Sequence, residues 1–521
     1  MPSLDAAWER HVVIDRRAGE YLCFPDVCLA EDGALVCVYN EFDQHVGTRR
    51  KMLIRRSVDQ GRTWSEALAP MDEQSHCPRI SKLSRGLLCI IDDAGPSILV
   101  SQDNGRSWRR EQARGLEHGL LDRVRELPGG RLFTVGHGHR GTEPWPKIRQ
   151  APTEQVAYVS QDGGCEWTPS ALIAREPCLV LCEASVIALP GAGLGGEPRL
   201  LALMRENSFV GEPMYYSISE DGGRTWSAHA PTALVGHRPT LGWTRSGRLL
   251  VTYRDVGPDP GAKAWIGGVD ELCSDFAVHG LHPTRSSVAS TPQGLLVQSA
   301  AGPEEPVRFL LRPITDAEDA HADFEAEVLV RHADEHGCGI RLGVWWRLYP
   351  DCIVPDAEGA GAISWEPGRT HRVRMVYEAG ACRLFVDGED CGAYPVDPLD
   401  GDSRPILFGA ASRKGENGCE AFWLSASLDI REPSLGREYC WRWDHAQGLP
   451  DAWIDRRVLE LKNDRDASFG DFGYSGWAEC ADGEFFCVHH HGGSREPDYV
   501  PGRSAHVLGT RFFENDFGAH L

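Results

Sequence analysis

The sequence predicts an all-β chain, a six-bladed β-propeller interrupted by a second, inserted β module. Three observations predict it. An octet built on Ser-x-Asp-x-Gly with a closing Trp occurs four times in the first half of the chain. A strand–turn–strand pattern precedes each copy and reappears near the end. A stretch from 272 to 438 lacks that pattern and separates the fifth repeat from the sixth.

The octets are Ser57-Val-Asp59-Gln-Gly61-Arg-Thr63-Trp64, Ser101 to Trp108, Ser160 to Trp167 and Ser219 to Trp226. Their aspartates lie 44, 59 and 59 residues apart, which suits four-stranded blades with variable loops. Each octet reads as a self-contained turn. The carboxylate accepts backbone N–H groups, Gly supplies a positive φ, and Trp covers the apolar side. Asp59, Asp103, Asp162 and Asp221 are therefore structural.

The elements ahead of the octets alternate in short apolar runs bounded by turns, the β signature. Blade one runs from Phe24-Pro25-Asp26 through Asp32-Gly33 to Tyr39, and blade two from Cys77-Pro78-Arg79 to Ile91. Blade three opens at Leu121-Asp122-Arg123, blade four at Cys182-Glu183 and blade five at Gly236-His237-Arg238-Pro239. The sixth copy opens at Phe472-Gly473-Tyr474-Ser475 and lacks a fourth strand. His11-Val-Val-Ile-Asp15 is expected to supply it and close the ring. The expected division is 1–271 for blades one to five, 272–438 for the insert, and 439–521 for the end of blade five and blade six. Asp444 to Gly448 with Trp453 reads as a degraded fifth octet that returns the chain to blade five.

Composition excludes several functions. Asp plus Glu number 76 against 54 Lys plus Arg, a net charge of −22, which disfavours nucleic acid or an anionic membrane surface as partner. No apolar run reaches the ~18 residues of a membrane span, and no secretion signal opens the chain. Seventeen cysteines with no C-x-x-C spacing read as reduced core thiols of a cytoplasmic protein. A metal reading of His489-His490-His491 is weak, because strand neighbours face opposite ways. No metal or cofactor is expected.

In a propeller, residues that begin each blade's first strand or end its second converge on one face of the central channel. They are Asp26, Asp43 and His45 from blade one, Arg79 and Asp92 from blade two, and Arg123, His137 and His139 from blade three. Blades four to six add Glu183 and Arg205, then His237, Arg238 and Arg254, then Tyr474 and His489. Five arginines in so acidic a chain point to an anion, since the planar guanidinium suits carboxylate or sulfate. Taken singly, each arginine is equally an ion-pair partner, Tyr474 a core tyrosine and Glu183–Arg205 a salt bridge.

The octet is the Asp box, and the chain resembles the sialidase (neuraminidase) superfamily of β-propellers. The resemblance implies roles for matching residues. Glu183 and Arg205 match the family's glutamate and arginine of blade four. Arg254 best matches a further arginine of its carboxylate-binding triad, with Arg238 the competitor. Tyr474-Ser475 matches its catalytic tyrosine motif, and Asp43, or His45 in its place, falls where its acid/base aspartate belongs. Its Arg-Ile-Pro reads Cys23-Phe24-Pro25 here, so the first triad arginine is absent, and Arg79 and Arg123 are the other arginines at hand. That departure bears on sialic acid itself and leaves an acidic sugar as the substrate class. Leu384-Phe-Val-Asp-Gly388 and Ile406 to Gly409 resemble the concanavalin-like (laminin-G-like) jelly-roll sandwich, which implies a packing, dimerisation or glycan-binding module.

Three functions are open at this point. The first is a sialidase-like glycosidase with Tyr474 as nucleophile, Glu183 its base, Asp43 the acid and the arginines as clamp. The second is a uronate lyase using His45, His139 or His237 with Tyr474. The third is a non-catalytic glycan-binding propeller. The expected partner in every case is an acidic oligosaccharide or glycoside, with a homo-oligomer also compatible.

Overall fold

The structure is a computed structural model. It describes residues 1–45, 47–139, 153–257, 260–281, 288–299, 307–315, 317–335, 337–396, 405–411, 418–465, 467, 472–493 and 495–518. Six small antiparallel sheets ring a central channel, each beginning with its innermost strand. Those strands are Tyr21–Leu29, Arg79–Lys82, Arg125–Leu127, Leu181–Ala192, His237–Trp243 and Ser475–Glu479. The last sheet is completed by His11–Asp15, which pairs with His506–Phe512 so that the chain's two ends share one blade. No helix among the described residues is long and apolar enough to cross a membrane.

Alternation of side chains across each pleat sends one apolar row to each neighbouring blade. The result is six apolar seams. Val36, Val38 and Met52 of blade one meet Ile80, Leu88 and Ile90 of blade two. Leu250, Ala262 and Ile266 of blade five meet Trp477, Phe485 and Phe512 of blade six. Cys28, Cys37, Cys89 and Cys487 are buried in these seams, and none of the seventeen cysteines forms a disulfide.

The four octets lock the seams. Asp59 Oδ1 accepts from Thr63 N at 2.9 Å, its Oδ2 from the Thr63 hydroxyl at 2.6 Å, and Ser57 Oγ accepts from Gly61 N at 2.8 Å. The same bonds recur around Asp103 and Asp221; in the third copy Glu166 N takes the Thr position. Slight burial works against ionisation, yet these bonds hold the Asp59 and Asp103 carboxyls at about 2. The fifth residue of the octet is glycine for two reasons. Gly61 has φ +84°, and a Cβ there would enter the Phe486 ring of the preceding blade. Gly223 repeats this with φ +87° and Phe133 at 2.6 Å.

Between the third strand of blade five, Gly261–Gly267, and its fourth, Val458–Asn463, the chain builds two larger sheets of seven and eight strands. They share one core, where Phe408 of the first sheet packs on Phe324 and Trp423 of the second. The final strand of the second sheet, Arg437–Asp444, runs past the expected end at 438. The degraded-octet reading of Asp444 is corrected. Asp444 ends a strand of the insert and caps a 3-10 turn through Ala446 N, instead of joining two strands of a blade.

Gly61→Ala is expected to cost about 2–4 kcal/mol, left-handed strain plus overpacking against Phe486. Gly33→Ala, with φ +81° and no heavy atom within 4 Å of the new Cβ, is expected to cost only about 1 kcal/mol. Urea unfolding of the two variants checks the difference, and equal losses would show that blade contact plays no part.

Candidate functional site

Each inner strand enters the channel through a residue with a left-handed backbone. They are Phe24, Cys77, Leu120, Glu183, Arg238 and Gly473, with φ of 52°, 47°, 49°, 40°, 47° and 75°. In blades one, four and five a pairing irregularity falls at the same place, as expected of a bulge. Only one of the six is glycine. The other five are held in a conformation that costs on the order of 1–2 kcal/mol each, a pattern characteristic of working sites. The bulge turns these side chains into the channel mouth, where Phe24, Cys77 and Tyr474 form one buried cluster against Leu120.

Two residues further along each strand lies a second layer, which closes the channel below the mouth. Asp26 is fully buried and pairs with Arg123 through two oxygens and with Arg79 at 3.5 Å. It also accepts from Ile80 N at 3.0 Å. Arg79 donates to Thr240 Oγ1 and to Ser475 O, while Asp122 and Ser185 accept from Val186 N and Leu241 N of the next blades. Desolvation opposes the Asp26 charge, and Arg123 and Arg79 together keep its carboxyl below the usual range. Arg79 and Arg123 are thus committed to Asp26 in this layer. Their donors, expected on substrate, are occupied here: Asp26 takes the fork of Arg123, and Thr240 and Ser475 take the terminal nitrogens of Arg79.

The mouth itself holds Tyr474, Glu183 and Arg205 in mutual contact. Arg205 Nη1 donates to Glu183 Oε2 at 2.5 Å and to the Tyr474 hydroxyl at 2.7 Å. The Tyr474 hydroxyl donates in turn to Glu183 Oε1 at 3.3 Å. Asn207 accepts from Arg205 Nη2 and fixes the guanidinium plane. Burial by itself would raise the Glu183 carboxyl; Arg205, then Arg238 and His137, outweigh it and hold it at about 2. Burial lowers the Arg205 guanidinium, but Glu183 and Tyr474 more than restore it. His137 Nδ1 faces Glu183 N at 3.3 Å, and burial brings that imidazole down to about 4.

Arg238 reaches across the mouth to the carbonyls of Leu120 and Leu121, both at 3.3 Å, and makes no ion pair among the described residues. Arg254 lies over Phe472 at 5.2 Å and over the Tyr474 ring at 5.9 Å. His237 is buried against Phe209 with ring centroids 4.7 Å apart. Burial, then Arg205 and Arg254, hold it well below its usual range and uncharged. Asp43 is half-buried at the rim, one residue past Phe42, and accepts from Arg49 N at 3.2 Å. His45 sits beside it, its Nδ1 3.4 Å from the Tyr21 hydroxyl. His139 is exposed on the outer end of its strand.

Sequence reasoning chose the wrong face of the triple histidine. His489 turns to Thr510 and His491 to Asp464, whereas His490 stacks on Tyr474 with centroids 5.5 Å apart. It also passed over His76 and the roles of Phe24 and Cys77 at the mouth. A usable signal existed: Phe24-Pro25, Cys77-Pro78 and Arg238-Pro239 place a residue before proline at the same point of three blades. Among the described residues no group of three His, Cys, Asp or Glu side chains is placed to hold a metal ion.

No family model matches the chain, and no curated protein does. Among solved structures it is similar to a protein of unknown function from Dyadobacter fermentans, at 14% identity and TM-score 0.50, over 96% of this chain and 97% of that one. It is also similar to a Trypanosoma rangeli sialidase in complex with 2,3-difluoro-KDN, at 12% identity and TM-score 0.36, over 81% and 96%. A Hadza microbial sialidase shares 15% identity at TM-score 0.39, over 58% and 65%. The first of these likenesses is one of overall fold.

Glu183→Gln is expected to destabilise the protein by about 3–5 kcal/mol, because it leaves Arg205 buried without its counter-charge. The native carboxyl is depressed from an ordinary 4.5 to about 2, so its contribution is complete above pH 5 and is lost as pH falls toward 2. Denaturant unfolding between pH 3 and 7 should show the gap between native and variant narrowing toward acid. A constant gap would place the loss elsewhere.

Proposed function

We propose that the protein is a glycoside hydrolase of sialidase type acting on a carboxylated sugar. The observation that carries this reading is the Tyr474 hydroxyl, held between the Glu183 carboxylate and the Arg205 guanidinium in a buried mouth. An anomeric carbon that bears a carboxylate repels an anionic nucleophile. A neutral tyrosine avoids that repulsion and becomes nucleophilic as its proton moves to Glu183. Arg205, already bonded to the hydroxyl oxygen, stabilises the phenolate as it forms. The guanidinium groups of Arg238 and Arg254 receive the sugar carboxylate, and neutral His237 leaves that field to them. Asp43, at the rim, protonates the departing oxygen and then activates the water that releases the sugar.

The paired sheets of the insert act as a buttress on the propeller in this reading. Arg437 reaches the Tyr215 hydroxyl and lies 3.7 Å from Glu212, both in blade four. Seventeen cysteines, none of them in a disulfide, fit a reducing, cytoplasmic setting and a substrate of short imported oligosaccharides.

The test is release of an aryl leaving group from a panel of nonulosonic and uronic acid glycosides. At least one member should be cleaved, and Tyr474→Phe should lower kcat by at least about a hundredfold. Cleavage that generates the ultraviolet absorbance of an unsaturated uronide would instead identify a lyase. Failure to cleave any member at high enzyme would leave a binding propeller.

A further inference from the structure

We infer that Cys77, His76 and Asp93 form an activated thiol at the rim of the sugar site, and that Cys77 is a modification site for small electrophiles, hydroperoxides first. The three side chains stand in relay. Cys77 Sγ lies 3.7 Å from His76 Nε2, and His76 Nδ1 lies 3.0 Å from Asp93 Oδ1. This is the arrangement of nucleophile, base and orienting carboxylate. The other oxygen of Asp93 is anchored by Leu120 N of the next blade, so the carboxylate cannot turn away. The His76 ring stacks on Phe42 and meets Phe24 edge-on, which fixes its plane. Cys77 N donates to Asn40 Oδ1 at 2.8 Å and His76 N to Asp92 Oδ2 at 3.1 Å. The relay belongs to blade two and is held from blades one and three by Asn40, Phe42 and Leu120.

Cys77 and, after the cost of burial, Asp93 hold the His76 imidazolium up at about 11. Arg238 lies close enough that Glu183 and then Cys77 raise its guanidinium against burial. Other thiols of the chain have the opposite surroundings. Burial pushes Cys28 up to about 12, and Cys37, Cys165 and Cys487 hydrogen-bond to carbonyl or carboxylate oxygens, which favour the neutral thiol. Position adds consequence. Cys77 occupies the same left-handed slot as Glu183 and Arg238 and shares a cluster with Tyr474. It is 5% exposed, so it is open to small reagents only.

With a hydroperoxide the step balances. The Cys77 thiolate attacks the terminal oxygen, forming an S–O bond and breaking O–O. His76 gives its proton to the leaving oxygen, which departs as water or alcohol. Sulfur is oxidised by two electrons to sulfenic acid, and the peroxide is reduced. The added oxygen lies in the mouth, so sugar turnover should fall; that consequence rests on the function proposed above, whereas the reactivity of Cys77 does not.

The experiment treats the full chain with hydrogen peroxide and a cyclic dione that traps sulfenic acid, then follows each cysteine peptide by mass spectrometry. Cys77 is expected to react roughly tenfold faster than free N-acetylcysteine at pH 7, where an ordinary thiol is only a few per cent ionised. His76→Gln should lower the Cys77 rate several-fold and leave that of exposed Cys440 unchanged. A native Cys77 no faster than N-acetylcysteine overturns the inference whether or not the variant folds. If Cys77 reacts as expected but no acidic glycoside is hydrolysed, the hydrolase reading falls and the activated thiol stands. If glycoside is hydrolysed and Cys77 is inert, the thiol inference falls alone.

Discussion

Asp26 is a carboxylate with no exposure to solvent, and the channel is arranged around that fact. A charge so placed needs cations and donors from its surroundings. Arg79 and Arg123 supply the cations and Ile80 N a donor, all from the next two blades. One residue thereby ties three of the six sheets at the axis. Asp122 and Ser185 continue the tie into blades four and five through backbone N–H groups. The apolar seams hold neighbouring blades together without direction; this polar layer fixes how far around each blade sits. The mouth above it depends on that setting, because Glu183 and Arg205 come from blade four and Tyr474 from blade six.

The left-handed entry of each inner strand converts ring geometry into chemistry. A regular strand would alternate its side chains between channel and seam. The bulge instead leaves one residue per blade aimed at the mouth, so that six positions of a repeat become six independent choices. Two of them carry the charges of the site, Glu183 and Arg238. Phe24 and Leu120 line it, Gly473 lets Arg254 approach closely, and Cys77 adds a thiol. Strain at five non-glycine residues is offset by the packing of the seams on either side.

Much of this was legible in the sequence. The octets announce themselves because serine, aspartate, glycine and tryptophan each have a fixed task in the turn. Glu183, Arg205 and Tyr474 were found by asking which strand ends meet, a question of topology that needs no coordinates. Arg79 and Arg123 were not separable from Arg238 and Arg254 by that route. All four sit near strand starts or ends, and only the depth of Asp26 decides which guanidinium groups it captures. His490 was missed through a choice of face. Alternation correctly grouped His489 with His491, but nothing in the run says which side meets the channel. The relay of Cys77, His76 and Asp93 left no local mark, since Asp93 joins it from the far end of a hairpin. The end of the insert was blurred for a related reason: Arg437 to Asp444 continues a sheet whose other strands lie far back in the chain.

The account stands on Tyr474 as the group that bonds to the sugar. An activated acidic glycoside with fluorine beside the anomeric carbon slows both steps by destabilising positive charge at that carbon, and its good leaving group restores the first. Incubation followed by peptide mass spectrometry should find the fluorosugar on Tyr474, with no adduct in Tyr474→Phe. Turnover of acidic glycosides with the label on Glu183 or Asp43, or with no covalent species on any residue, would contradict it.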